Sequence, residues 1–113
     1  MALMKPQPQH TSLADGRWHA MTLAEQLANI GSEVHRARLA KEKGLETRFN
    51  AASDRALELF DLTLSDKRWK KRLFELGRMR DIFADAVLGG EEYASTLANL
   101  ESYFDRFALL AAR

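Results

Sequence analysis

TLAEQLANIGSEVHRARLAKEKG, running from Thr22 to Gly44, carries Leu23, Leu27, Ile30, Val34 and Ala37 at steps of three and four. At about 100° per residue these positions form one stripe, the mark of an amphipathic helix with a single face to bury. Its ends are marked too. Thr22-Leu23-Ala24-Glu25 has the form of a capping box, in which the hydroxyl accepts an orphan amide and the glutamate reaches back to the cap residue's own N–H. At the other end Lys41 and Lys43 place positive charge at the negative pole of the helix dipole, and Gly44 stops the helix.

The same periodicity continues toward the C-terminus. A second helix is predicted over residues 46–64 with Phe49, Ala52, Ala56, Leu57, Phe60 and Leu64 on one face, ending near Ser65, which is expected to cap the next helix. A third, over residues 66–88, aligns Trp69, Leu73, Leu76, Phe83 and Val87 and stops at Gly89-Gly90. A fourth starts near Ser95 or Thr96 and runs to the C-terminus with Leu97, Leu100, Tyr103, Phe104, Phe107, Leu110 and Ala111 aligned. Isolated helices of this length are marginal, so the four must share a core, and their short connections make sequential neighbours antiparallel. The expected fold is all-α: one four-helix up-and-down bundle over residues 19–113, preceded by a flexible arm over residues 1–18.

Composition agrees. The 113 residues include 17 Ala and 17 Leu but only two Val and two Ile, which nearly excludes a sheet protein. Both prolines, Pro6 and Pro8, precede the helical region, so nothing after them forbids long helices. The absence of cysteine removes disulfides, thiolate metal sites and cysteine nucleophiles, and the plain reading is a cytoplasmic protein. The N-terminal MALMKPQPQHTSLADGRW has no apolar run of the kind a signal peptide needs, and no membrane span is visible. With 17 Lys and Arg against 16 Asp and Glu, the net charge of +1 argues against a dedicated nucleic-acid coat or a polybasic membrane binder.

Arg80 is the clearest misfit, because helical geometry places it inside the third helix's apolar stripe, between Leu76 and Phe83. A buried guanidinium must be paired, and Glu33 or Asp61 is expected to supply the carboxylate, either as an internal salt bridge or as part of a ligand site. Glu58-Leu59-Phe60-Asp61 fits the second half of the Glu-x-x-Glu and Glu-x-x-Asp pattern of all-α nucleotide pyrophosphohydrolases. The first half is missing, and Glu58 points away from its stripe, so no metal or other cofactor is expected. His10, His19 and His35 lack a carboxylate at metal-site spacing, and His35 reads as a surface residue. Ser32, Ser53 and Ser95 lie in no nucleophile-elbow context. Lys67, Arg68, Lys70, Lys71 and Arg72 crowd around Trp69 as possible phosphate contacts, with Trp69 itself expected in the core. A second basic set, Arg36, Arg38, Lys41, Lys43 and Arg48, lies at the opposite end of the bundle. Either set reads first as a solvated rim.

Three segments carry a resemblance: Leu27-Ala28-Asn29-Ile30-Gly31-Ser32-Glu33-Val34, Arg55-Ala56-Leu57-Glu58-Leu59 and Arg78-Met79-Arg80-Asp81, followed by Glu92-Tyr93. Over about residues 27–107 the chain resembles a family of short prokaryotic all-helical proteins to which no activity is attached. The resemblance implies a shared polar site or interface at Glu33, Arg55, Glu58, Asp61, Arg78, Arg80 and Tyr93. More distantly, the inferred topology is similar to HEPN bundles and to nucleotidyltransferase substrate-binding subunits. HEPN ribonucleases carry an Arg followed four to six residues on by His, and here the third helix has no His, so the likeness is one of architecture, which does not imply function.

The leading expectation is a non-enzymatic bundle that works through protein contacts as a homo-oligomer, because Leu62, Phe74, Ile82 and Leu109 lie off the core stripes. An RNA-associated or nucleotidyltransferase-partner protein using residues 67–72 is the alternative. A metal-dependent nucleotide hydrolase at Glu58 and Asp61 is the second.

Overall fold

A computed structural model of the chain describes residues 16–89 and 96–111. The helices are α1 (Leu23–Glu42), α2 (Glu46–Leu64), α3 (Leu73–Val87) and α4 (Leu97–Ala111). Short 3-10 segments, Trp18–Ala20 and Lys67–Arg72, precede α1 and α3. The fold is the expected all-α four-helix bundle. His10, Tyr93 and Ser95 lie outside the described residues, as do Gly90 and most of the expected arm.

The capping box of α1 is present in full: Glu25 N–H donates to Thr22 Oγ1 at 3.1 Å, and Thr22 N–H donates to Glu25 Oε1 at 2.9 Å. At its far end Gly44 takes φ +68°, a left-handed conformation that glycine adopts without a Cβ penalty, and the chain turns into α2. Thr96, one of the two candidates, caps α4, its hydroxyl accepting from Asn99 N–H at 3.2 Å.

α1 packs extensively against both α2 and α4, while α3 closes the ring more lightly against the same two helices. Leu27, Ile30, Val34, Leu59, Phe60, Leu76, Phe83 and Phe104 are almost wholly excluded from solvent. Phe60 stands at the centre, its ring 6.0 Å from those of both Phe83 and Phe104. In α4 Leu97, Leu100 and Phe104 face the core and Tyr103 packs at its edge. The side chains of Phe107, Leu110 and Ala111 lie outside the described residues.

Four expectations are corrected. Trp18, assigned to the arm, is fully buried and belongs to the core, so the folded unit begins before residue 19. The face of α2 is rotated relative to the predicted stripe: Leu59 and Thr63 are buried, whereas Phe49, Leu57 and Leu64 pack at the margin. Ser65 ends α2, and the cap of the following 3-10 segment is Asp66, whose carboxylate accepts from Arg68 N–H. Finally, the third helix is not continuous from residue 66. Trp69 leaves helical geometry (φ −101°, ψ 21°), α3 starts only at Leu73, and Leu73 is exposed. The chain thereby avoids placing five cations in the first turns of an α-helix, where the dipole opposes them.

Candidate functional site

Buried polar residues are expensive unless satisfied, so those in the bundle locate its specific chemistry. Gln26 is fully buried on α1. Its amide N–H groups donate to Trp18 O and to Asp66 Oδ2, both at 3.0 Å, and its Oε1 accepts from Trp69 Nε1 at 2.9 Å. Alongside, Trp18 Nε1 donates to Thr63 Oγ1 at 3.1 Å. Asp66, also buried, is held by Arg68 through Nε and Nη2, and that same Nη2 donates to Met21 O. Arg68's guanidinium, against burial and helped by Gln26, keeps the Asp66 carboxyl far below the usual carboxylate range. The cluster ties together the chain before α1, α1 itself, the end of α2 and the 3-10 segment.

A second buried carboxylate, Glu33, bridges α1 and α2. It accepts from Arg36 Nη1 at 2.5 Å and from Arg55 Nε at 2.8 Å. A third, Glu101, bridges α4 to α1, where it meets His35 Nδ1 and Arg38 Nε, and Arg38 Nη1 also donates to Glu42 at 2.8 Å. Burial pushes the Glu101 carboxyl up most strongly, but the hydrogen bonds from Arg38 and His35 outweigh it and leave the group below its ordinary value. His35 is a surface residue as expected, and its exposed ring is engaged by Glu101.

Arg80 donates from Nε to Asp61 Oδ1 at 2.9 Å. Of the two carboxylates considered for it, Asp61 is its partner, and Glu33 takes Arg55 and Arg36 instead. The pair lies on the solvent-facing flank of α2 and α3, with Arg80 a third exposed and Asp61 more so, so the guanidinium is not buried as expected. Glu58 is half-buried rather than turned wholly to solvent. Among the described residues no group of three or more His, Asp or Glu could hold a metal ion, and the Arg80 cation already sits on Asp61.

The basic cluster at 67–72 is divided by its pairing. Arg68 serves Asp66 and stacks over the Trp69 ring at 4.4 Å, and Arg72 pairs with Glu75 at 3.1 Å, leaving Lys67, Lys70 and Lys71 pointing outward. Trp69 is half-buried at the edge of the core with its N–H on Gln26.

Of the apolar residues expected off the core, Leu62 and Ile82 pack against it after all. Phe74 and Leu109 do not, being 83% and 71% exposed, and Leu88 at the end of α3 joins them at 85%. Phe74 and Leu88 are fourteen positions apart, close to a whole number of helical turns, and lie opposite the buried Leu76, Met79, Phe83 and Ala86. They cap the two ends of the outward face of α3, about 21 Å apart at 1.5 Å per residue. Exposed Arg78 and Asp81 stand between them.

Sequence reasoning missed Gln26 and Glu101. Each sits at the margin of a stripe, Gln26 four residues before Ile30 and Glu101 between Leu97 and Phe104, where a polar residue can be drawn inward. Compared with known proteins, the chain matches no family model, no curated protein and no solved structure. No helix among the described residues is long and apolar enough to cross a membrane.

Proposed function

We propose that the protein is a non-catalytic helical bundle that works through protein contacts, first of all with a second copy of itself. The observation that carries this reading is the outward face of α3, where Phe74 and Leu88 are each more than four-fifths exposed on an otherwise well-packed bundle. Large apolar side chains on a helix face that packs against none of the other described residues gain by being covered. The face is also self-complementary. Two α3 helices laid antiparallel about a two-fold axis near Asp81 bring Phe74 of one copy onto Leu88 of the other, with Arg78 of each copy near enough to offset the two Asp81 side chains that meet on the axis. The buried carboxylates favour a structural reading as well, since Glu33, Asp66 and Glu101 are all engaged by arginines within the chain. A reducing, cytoplasmic setting fits the cysteine-free composition.

Size-exclusion chromatography with light scattering tests the proposal. The expected result is a dimer at micromolar concentration with a concentration-dependent elution position. A monomeric mass across the micromolar range would overturn it.

A further inference from the structure

The turn between α1 and α2 opens a cleft of about 350 Å³ whose wall holds Arg36, Lys43, Arg48 and Arg55, with Leu39 and Leu45 also lining it. No carboxylate is among the described residues that line it. Glu33 is buried beside it, bonded to both Arg36 and Arg55. A buried anion that fixes two guanidinium groups lowers the entropy those groups lose when they grip a ligand. Lys43 and Arg48 stand exposed on either side of the Gly44 turn. Leu45, the residue before α2, gives that helix no side-chain cap, and Glu46 in its first turn offsets part of the positive potential of the amides there, so the cations of the cleft wall carry the attraction.

We infer that this cleft binds a small phosphorylated molecule with an apolar or aromatic body. Planar guanidinium groups match phosphate oxygens two at a time, which suits a phosphate dianion better than a single carboxylate. Leu39 and half-exposed Leu45 offer the body a surface that bare inorganic phosphate would leave uncovered. The volume falls within the range of small-ligand sites, roughly 300–1,000 Å³. Extended nucleic acid is the poorer fit, because the outward lysines of the other basic cluster, Lys67, Lys70 and Lys71, follow the far end of α2, about 28 Å along a helix of this length.

The experiment is an amide-detected NMR titration of the full chain with inorganic phosphate, AMP and ATP as probes. Saturable shifts confined to residues 36–55 are expected, with the nucleotides binding more tightly than inorganic phosphate. Arg48→Glu and Lys43→Glu leave the Glu33 pairs intact, and each should weaken nucleotide binding about tenfold or more, the scale of one charge-assisted hydrogen bond. Lys70→Glu/Lys71→Glu should leave it unchanged. Absence of saturation at millimolar nucleotide, equal binding by Arg48→Glu and the parent chain, or equal loss in the Lys70→Glu/Lys71→Glu variant would overturn the proposal.

Discussion

At the scale of single residues, the fold rests on buried polar groups that each have a partner. Gln26 uses both amide donors and its carbonyl oxygen, so Gln26→Met keeps the volume yet leaves the Trp69 indole N–H and part of Asp66 without partners. A loss of about 2 to 4 kcal/mol is expected, read by urea unfolding, because buried groups stripped of hydrogen bonds cost far more than the bond itself contributes. The Arg80–Asp61 pair should behave differently. Both side chains reach water, so Arg80→Met or Asp61→Asn is expected to change stability by less than about 1 kcal/mol. The Asp66 and Glu101 carboxyls titrate below their ordinary values when folded. The unfolded chain therefore binds protons first on acidification. Their contribution is complete above the unfolded pKa of about 4 and is lost as pH falls from there toward the folded values. Thermal melts between neutral pH and pH ~3 should show stability falling only at the acid end. In Asp66→Asn, already weaker at neutral pH, that fall should be shallower. The sequence showed Arg80 as an anomaly because a stripe drawn at ideal helical spacing passes through it. It hid Gln26 because a neutral amide beside Leu27 breaks no pattern, and only the arrival of Trp18, Asp66 and Trp69 from two other segments makes it central.

At the scale of elements, two helical glycines separate packing from propensity. A Cβ on Gly31 would stand 2.5 Å from Phe104 Cβ, so α1 and α4 approach as closely as they do only because that position is bare. A Cβ on Gly77 of α3 would meet nothing within 4 Å. Gly77→Ala should accordingly stabilise the protein by about 0.5 to 1 kcal/mol through helix propensity. Gly31→Val should destabilise it by about 1 to 3 kcal/mol as overpacking pushes the helices apart. Paired thermal denaturation curves would show opposite shifts in Tm. The limits of α1 and α2 were legible because their signals are local: a capping box, a C-terminal glycine, an apolar period. The break at Trp69 was not, because the partner its indole N–H meets there, Gln26, is forty-three residues away in sequence. The local pattern of Trp69, Leu73 and Leu76 reads as unbroken helix.

At the scale of the whole molecule, α1 is the hub and α3 the lightly held wall. Hydrogen exchange should follow that division, with α3 amides exchanging before those of α1, since local opening tracks the contact each element makes. Uniform protection across the four helices would count against it. The same light seating leaves the outer face of α3 as a surface with Phe74 and Leu88 at its ends and opposite charges between. The sequence placed Phe74 and Leu109 off the core, where they are exposed, but also named Leu62 and Ile82, because a stripe drawn from spacing alone does not show how far a neighbouring helix reaches around to cover its edges. Sedimentation equilibrium on Phe74→Ser/Leu88→Ser beside the parent chain tests that surface most directly. The parent should sediment as a dimer at micromolar concentration and the double variant as a folded monomer with an unchanged circular dichroism spectrum. A parent chain that stays monomeric, or a variant that dimerises as well as the parent, would contradict the account.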